Sequence, residues 1–185
     1  MPSSRSPFAG SRQSRGRMSE GNVQGVLLTG IFGVGKSTVA AEMAEMLEER
    51  QVRYAALDMD WLTWAYSADH DEGAEHRMML INLSSVVANY LAAGIERFIL
   101  ARTIRTQGEM VSLRGALPFP LTSVRLTCPL PEIRRRASSD VTTARQADLR
   151  EAADMIASAE GDGLEDLSIA NEGRSPRWRA TYSAD

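Results

Sequence analysis

One stretch limits what this chain can fold into more than any other: VLLTGIFGVGKSTVA, residues 26–40. Four residues with strand preference, Val26 to Thr29, run into Gly30, Gly33, Gly35, Lys36, Ser37 and Thr38, and a helical pattern begins at once. The spacing G-x-x-x-x-G-K-[ST], with a strand before it and a helix after it, is that of a phosphate-binding turn. Glycines reach positive φ, so several N–H groups can face one concavity. A helix starting near Lys36 adds its unpaired first-turn N–H groups and the positive end of its dipole. Gly30, Gly33, Val34, Gly35, Lys36, Ser37 and Thr38 are therefore the expected nucleotide-binding residues. The Lys36 ammonium can reach β- and γ-phosphate oxygens, and the Ser37 hydroxyl is an expected Mg²⁺ ligand. Lys36 is also the only lysine in the chain; every other long basic side chain is an arginine. Lysine stands where a compact point charge suits the chemistry.

The remaining composition sets bounds. At 185 residues the chain is long enough for one α/β domain with a sizeable core. Its net charge of −3 argues against a general nucleic-acid or membrane-surface binder. Its one cysteine, Cys128, allows no internal disulfide and fits a reducing compartment. No apolar run approaches the roughly 18 residues a bilayer span needs, and there is no signal-peptide core. A soluble cytoplasmic protein is expected. Residues 1–24, rich in Ser, Gly, Pro and Arg, read as a disordered tail, and residues 25–185 as the folded domain.

Strands are expected at Val26–Thr29, Arg53–Leu57, Arg97–Ala101, Ser123–Thr127 and Leu167–Ala170, with helices between them. These include Lys36 to Arg50, about Glu75 to Ala93, Gln107 to Ala116, and two arginine-rich pieces around a Ser-Ser-Asp joint. A final short segment, Pro176 to about Ser183, also reads as helical. Alternation of this kind demands a parallel sheet with helices on both faces. Ligands of such sheets bind beyond the carboxyl ends of the strands. The chemically suggestive residues fall there: the phosphate turn after the first strand, Asp58 and Asp60 after the second, Arg102 and Arg105 after the third, Gly173 and Arg174 after the fifth. Segment 68–76 holds His70, His76 and four carboxylates, but at no metal-ligand spacing, and reads as an acidic loop.

GIFGVGKST (30–38), LDMDWL (57–62), the arginine-rich segment 134–150 and NEGRS (171–175) together carry a resemblance. The chain resembles small P-loop kinases of the nucleoside-monophosphate-kinase type. It is most similar to the adenylylsulfate kinase and chloramphenicol phosphotransferase branch, and to uncharacterised actinobacterial kinase-like ATP-binding proteins. The resemblance implies a three-layer P-loop NTPase fold with five parallel strands in the order 2-3-1-4-5. It also implies an arginine-rich lid over residues about 130–150 and an adenine seat at Gly173 and Arg174. ATP and Mg²⁺ are the implied cofactors, with Ser37 and Asp58 toward the metal. Either Asp58 or Asp60 takes the acceptor proton, while Lys36 and lid arginines, chiefly Arg134, Arg135, Arg136 and Arg145, neutralise phosphate charge. Three successive arginines on a helix cannot all face one site. Trp61, Asn82, Asn89 and Arg102 are the acceptor-side candidates. In many relatives the third strand ends in an aspartate; here it ends RFILAR. The implied activity is transfer of the γ-phosphoryl group of ATP to a hydroxyl of a small-molecule acceptor. No nucleic-acid or membrane partner is expected, and a homodimer is compatible. The alternative is a non-catalytic or regulatory ATP-binding protein that keeps the phosphate turn alone. GTPase and motor readings lack their signatures, such as N-K-x-D or D-x-x-G.

Overall fold

A computed structural model of the chain describes residues 23–63, 72–137, 143–158 and 163–172. The expected N-terminal tail, the Pro176–Ser183 segment and the Ser-Ser-Asp joint lie outside them, apart from the first residues of β1. In chain order the elements are β1 (Gln24–Thr29), α1 (Lys36–Glu49), β2 (Tyr54–Asp58), a 3₁₀ turn (Met59–Leu62), α2 (Glu72–Ala92), β3 (Arg97–Ala101), α3 (Gln107–Gly115), β4 (Leu121–Thr127), α4 (Leu130–Ala137), α5 (Thr143–Ser158) and β5 (Leu167–Ala170). All pairings are parallel, as the alternation of strands and helices demanded, and the strand order is β2-β3-β1-β4-β5, as the resemblance to P-loop kinases implied.

The three-layer build follows from period-two alternation in the central strands. Leu27 of β1 and Phe98 and Leu100 of β3 face one core with Met79, Leu83 and Val87 of α2 and Met110 and Leu113 of α3. Leu28 and Ile99 face the other, with Val39, Ala40 and Ala44 of α1, Ile133 of α4 and Met155 of α5. Phe98 stacks on Phe119, ring centroids 4.5 Å apart. A β-carbon on Gly25 would meet that Phe119 ring at 2.7 Å, so a strand glycine sits where the aromatic pair needs room.

One boundary moves in a way that matters for the site. Helix α2 begins at Glu72, three residues before its expected start. Glu75 and His76, expected in an acidic loop, therefore lie on its first two turns. Acidic residues near a helix N-terminus complement its dipole, which favours the earlier start. The edge strand β5 is tied to β4 by polar contacts rather than by apolar burial. Asp166 Oδ2 accepts from the Ser123 N–H at 2.8 Å and from Arg114 at 2.8 Å, and Ser123 is fully buried.

Phe98 is 1% exposed and at the centre of the first core. Replacing it by Ala should destabilise the protein by about 3–5 kcal/mol. Urea unfolding followed by circular dichroism measures this.

Candidate active site

Between β1 and α1 the backbone is forced into a cradle. Gly30, Gly33 and Gly35 have φ of 128°, 75° and 100°. At Gly30 a β-carbon would lie 2.4 Å from the backbone oxygen of Leu126, so the neighbouring strand leaves no space for a side chain. Gly35 caps α1 in the left-handed region and offers no side-chain cap to the helix. The first turn of α1 also carries no acidic residue. Its free N–H groups and dipole are thus left for an anion. Val34 is fully buried, and its carbonyl accepts from Asn171 Nδ2 at 2.8 Å. The end of β5 in this way fixes the middle of the turn.

Lys36 lies across the cradle. Its Nζ donates to the carbonyls of Gly30 (2.9 Å) and Ile31 (3.1 Å) and to Thr103 Oγ1 (3.1 Å). Thr103 Oγ1 donates in turn to the Gly30 carbonyl at 3.0 Å. Burial pushes the Lys36 ammonium down to about 8, against the attraction of Asp60 and then Asp58. Thr103 carried no motif signal. It follows a strand that lacks the aspartate seen in many relatives, and only the pairing of β3 beside β1 brings it to the lysine.

On the far wall, Ser37 Oγ donates to Asp58 Oδ2 at 2.8 Å, and the other Asp58 oxygen accepts from the Asp60 N–H at 3.2 Å. Asp58 therefore both caps the 3₁₀ turn and faces the phosphate turn; capping and site roles are compatible here. Asp60 Oδ1 meets the Arg102 guanidinium at 3.2 Å. Desolvation pushes the Asp60 carboxyl up; Arg102 opposes that and Asp58 adds to it. Two clefts meet here. The first, of about 660 Å³, is lined by the phosphate turn, Asp58, Asp60, Arg135, Arg136 and Asn171. The second, of about 360 Å³, runs past Asp60, His76, Arg102, Arg105 and Glu151. Asp60 and Phe32 line both.

The other candidates divide. Arg134 is exposed and turned away, whereas Arg135 and Arg136 line the first cleft. At 100° per residue a helix cannot aim all three inward, and the two that line the cleft are Arg135 and Arg136 rather than Arg134. Glu132 holds the other two. It accepts from Arg135 twice at 2.7 Å and from Arg136 at 2.9 Å, which holds its carboxyl down to about 2. Arg136 also donates to the Asn171 carbonyl at 2.7 Å. Asn82 donates to the Leu62 carbonyl at 2.8 Å, bracing α2 against the 3₁₀ turn rather than facing a cleft. Asn89 is exposed near the end of α2 that leads into the start of β3. That is the opposite edge of the sheet from the two clefts. Trp61 is 67% exposed and lines neither cleft. Gly173, Arg174 and the Arg145 side chain lie outside what the structure describes.

A phosphate cradle at the carboxyl edge of a 2-3-1-4-5 parallel sheet, with paired carboxylates after the second strand, defines a P-loop kinase. The family model of adenylylsulphate kinase matches residues 22–151, and the chain belongs to that family. Solved structures share the fold. The Mycobacterium tuberculosis APS kinase solved with AMPPNP and APS is 22% identical, over 87% of this chain and 95% of that one, with a TM-score of 0.57. A sugar kinase from Janibacter sp. HTCC2649 is 18% identical, over 85% of this chain and 89% of that one, also at 0.57. The Deinococcus radiodurans tunicamycin resistance protein is 17% identical, over 86% of this chain and 92% of that one, at 0.56. A comparison with curated proteins gives no match. No helix among the described residues is long and apolar enough to cross a membrane.

The depressed Lys36 value has a measurable consequence. A bound polyphosphate raises it, because the anion favours the charged amine. Between about 8 and that higher value, binding takes up a proton, and affinity falls as pH rises through the interval. Titration calorimetry with sodium tripolyphosphate, in buffers of different ionisation heat, should show uptake approaching about one proton near pH ~9. Lys36→Met should abolish the uptake.

Proposed function

We propose that this kinase moves the γ-phosphoryl group of ATP to a hydroxyl of a small-molecule acceptor, with the triphosphate in the first cleft and the acceptor in the second. The observation that carries this reading is the position of Asp60, on the boundary between the two clefts. In-line transfer needs the attacking oxygen, the phosphorus and the leaving oxygen aligned across such a boundary.

Lys36 and the first-turn N–H groups of α1 bind the β- and γ-phosphates. Arg135 and Arg136, held by Glu132, face the same cleft and neutralise charge on the transferring group. The Ser37 hydroxyl and the Asp58 carboxylate, 2.8 Å apart, are the hard oxygen donors that suit Mg²⁺, which keeps water and phosphate oxygens as its other ligands. Bound there, Mg²⁺ would supply charge neutralisation at the phosphate oxygens. Asp60 accepts the acceptor's hydroxyl proton as the new P–O bond forms and the β–γ bridging P–O bond breaks. ADP leaves with that bond's electron pair. The raised proton affinity of Asp60 suits a base. Arg102 orients its carboxylate.

Asp60→Asn should lower acceptor-dependent ADP release by roughly 10²-fold or more, with ATP binding retained. Lys36→Ala should weaken ATP binding itself. A coupled ADP assay beside nucleotide titration separates the two. Full turnover in Asp60→Asn would remove the residue from the base role. Loss of acceptor-dependent ADP release from the wild type, with ATP still bound, would favour the non-catalytic alternative.

A further inference from the structure

The second cleft is lined by more carboxylates than guanidiniums. We propose that it selects a hydroxyl acceptor carrying an amine, of the amino-sugar or aminocyclitol class, over anionic acceptors. This rests on the kinase reading above and on the second cleft being the acceptor side.

The cleft presents four carboxylates, Asp60, Glu75, Glu109 and Glu151, against two guanidiniums, Arg102 and Arg105. Both guanidiniums are already engaged by the walls. Arg102, with only 17% of its side chain exposed, faces Asp60. The Arg105 guanidinium pairs with Glu151 across to α5, and the Arg105 backbone N–H donates to Glu109 Oε2 at 2.9 Å. Glu75 has no ion-pair partner among the described residues, yet its charge reaches Asp60. An acceptor bearing a sulfate, phosphate or carboxylate would lie against carboxylates that outnumber the guanidiniums two to one. An ammonium avoids that repulsion and relieves the crowding of negative charge.

A second feature points the same way. His76, on the second turn of α2, lines this cleft, and its Nε2 is buried with no hydrogen-bond partner. Buried polar atoms in folded proteins are nearly always paired. A neutral imidazole nitrogen accepts a hydrogen bond, and an ammonium or hydroxyl donates one. Phe32, Ala152 and Met155 add an apolar strip that suits the C–H face of a ring. A cleft of about 360 Å³ is at the lower end of the range for small-ligand sites and accommodates one saturated ring with its substituents. The excess of carboxylates in the second cleft thus suits a cationic alcohol.

The test uses the full chain, saturating ATP and Mg²⁺, and acceptors that differ in charge. These are 2-deoxystreptamine, myo-inositol and myo-inositol 1-phosphate; glucosamine, glucose and gluconate; and adenylylsulfate. The amine of at least one set should be phosphorylated with a kcat/KM roughly tenfold above its neutral partner, and further above its acidic one. The preference should narrow as salt is added. Glu75→Gln should reduce the amine-to-neutral ratio by roughly fivefold, and Glu75→Arg by more. Preferential turnover of adenylylsulfate, gluconate or the inositol phosphate would overturn the inference while leaving the kinase reading intact. Failure of every amine to stimulate ADP release, in protein that binds ATP, would also overturn it. Absence of ATP binding would remove the kinase reading and the inference together.

Discussion

The structure depends on a backbone turn that no side chain among the described residues caps. From Gly30 to Gly35 the chain runs through three left-handed residues and enters α1 without a side-chain cap. In an ordinary helix a Ser, Thr, Asp or Asn would satisfy those first N–H groups. Here they face a cleft, with the one lysine of the chain beside them. The turn cannot relax, because Leu126 of β4 closes on Gly30 and Asn171 holds the Val34 carbonyl. Strands on one side of the sheet thus preorganise an anion site on the other end of β1.

Around that site the polar residues form two connected networks. One joins Lys36, Thr103 and Gly30, tying the strand-3 loop to the cradle. The other runs from Ser37 through Asp58 and Asp60 to Arg102. The carboxylates are held at different tasks by different surroundings. Asp58 is anchored by a hydroxyl and a backbone N–H, while Asp60 is open to both clefts and resists ionisation more than an ordinary aspartate. Their division of labour follows from environment, since both belong to one D-x-D. Arg135 and Arg136 show the converse, two like charges held together because Glu132 lies one turn earlier on the same helix face.

Much of this was legible in the chain. The phosphate turn has a local signature because its chemistry is backbone chemistry. Glycine spacing, one lysine and a following hydroxyl suffice. Strand positions were also readable, since β1 and β3 are covered on both faces and are apolar almost throughout. The start of α2 was less so: an acidic run such as DEGAEH reads equally as a loop or as a charged first turn. Which of Arg134, Arg135 and Arg136 line the cleft was not legible, because three adjacent arginines look alike until the helix phase is known.

The sequence by itself determined the phosphate turn, the pair of carboxylates after the second strand and the alternation of strands with helices, because each depends on residues close together in the chain; the sheet order was implied only by the family resemblance. Tertiary structure alone decided which groups share a cleft. Thr103 reaches Lys36 across 67 positions of sequence, Asn171 reaches Val34 across 137, and Arg105 meets Glu151 from another layer. Such contacts have no local signature. They exist because parallel strands joined by long crossovers bring remote loops to one edge of the sheet, and the sign of the charge in the second cleft is a sum over those loops.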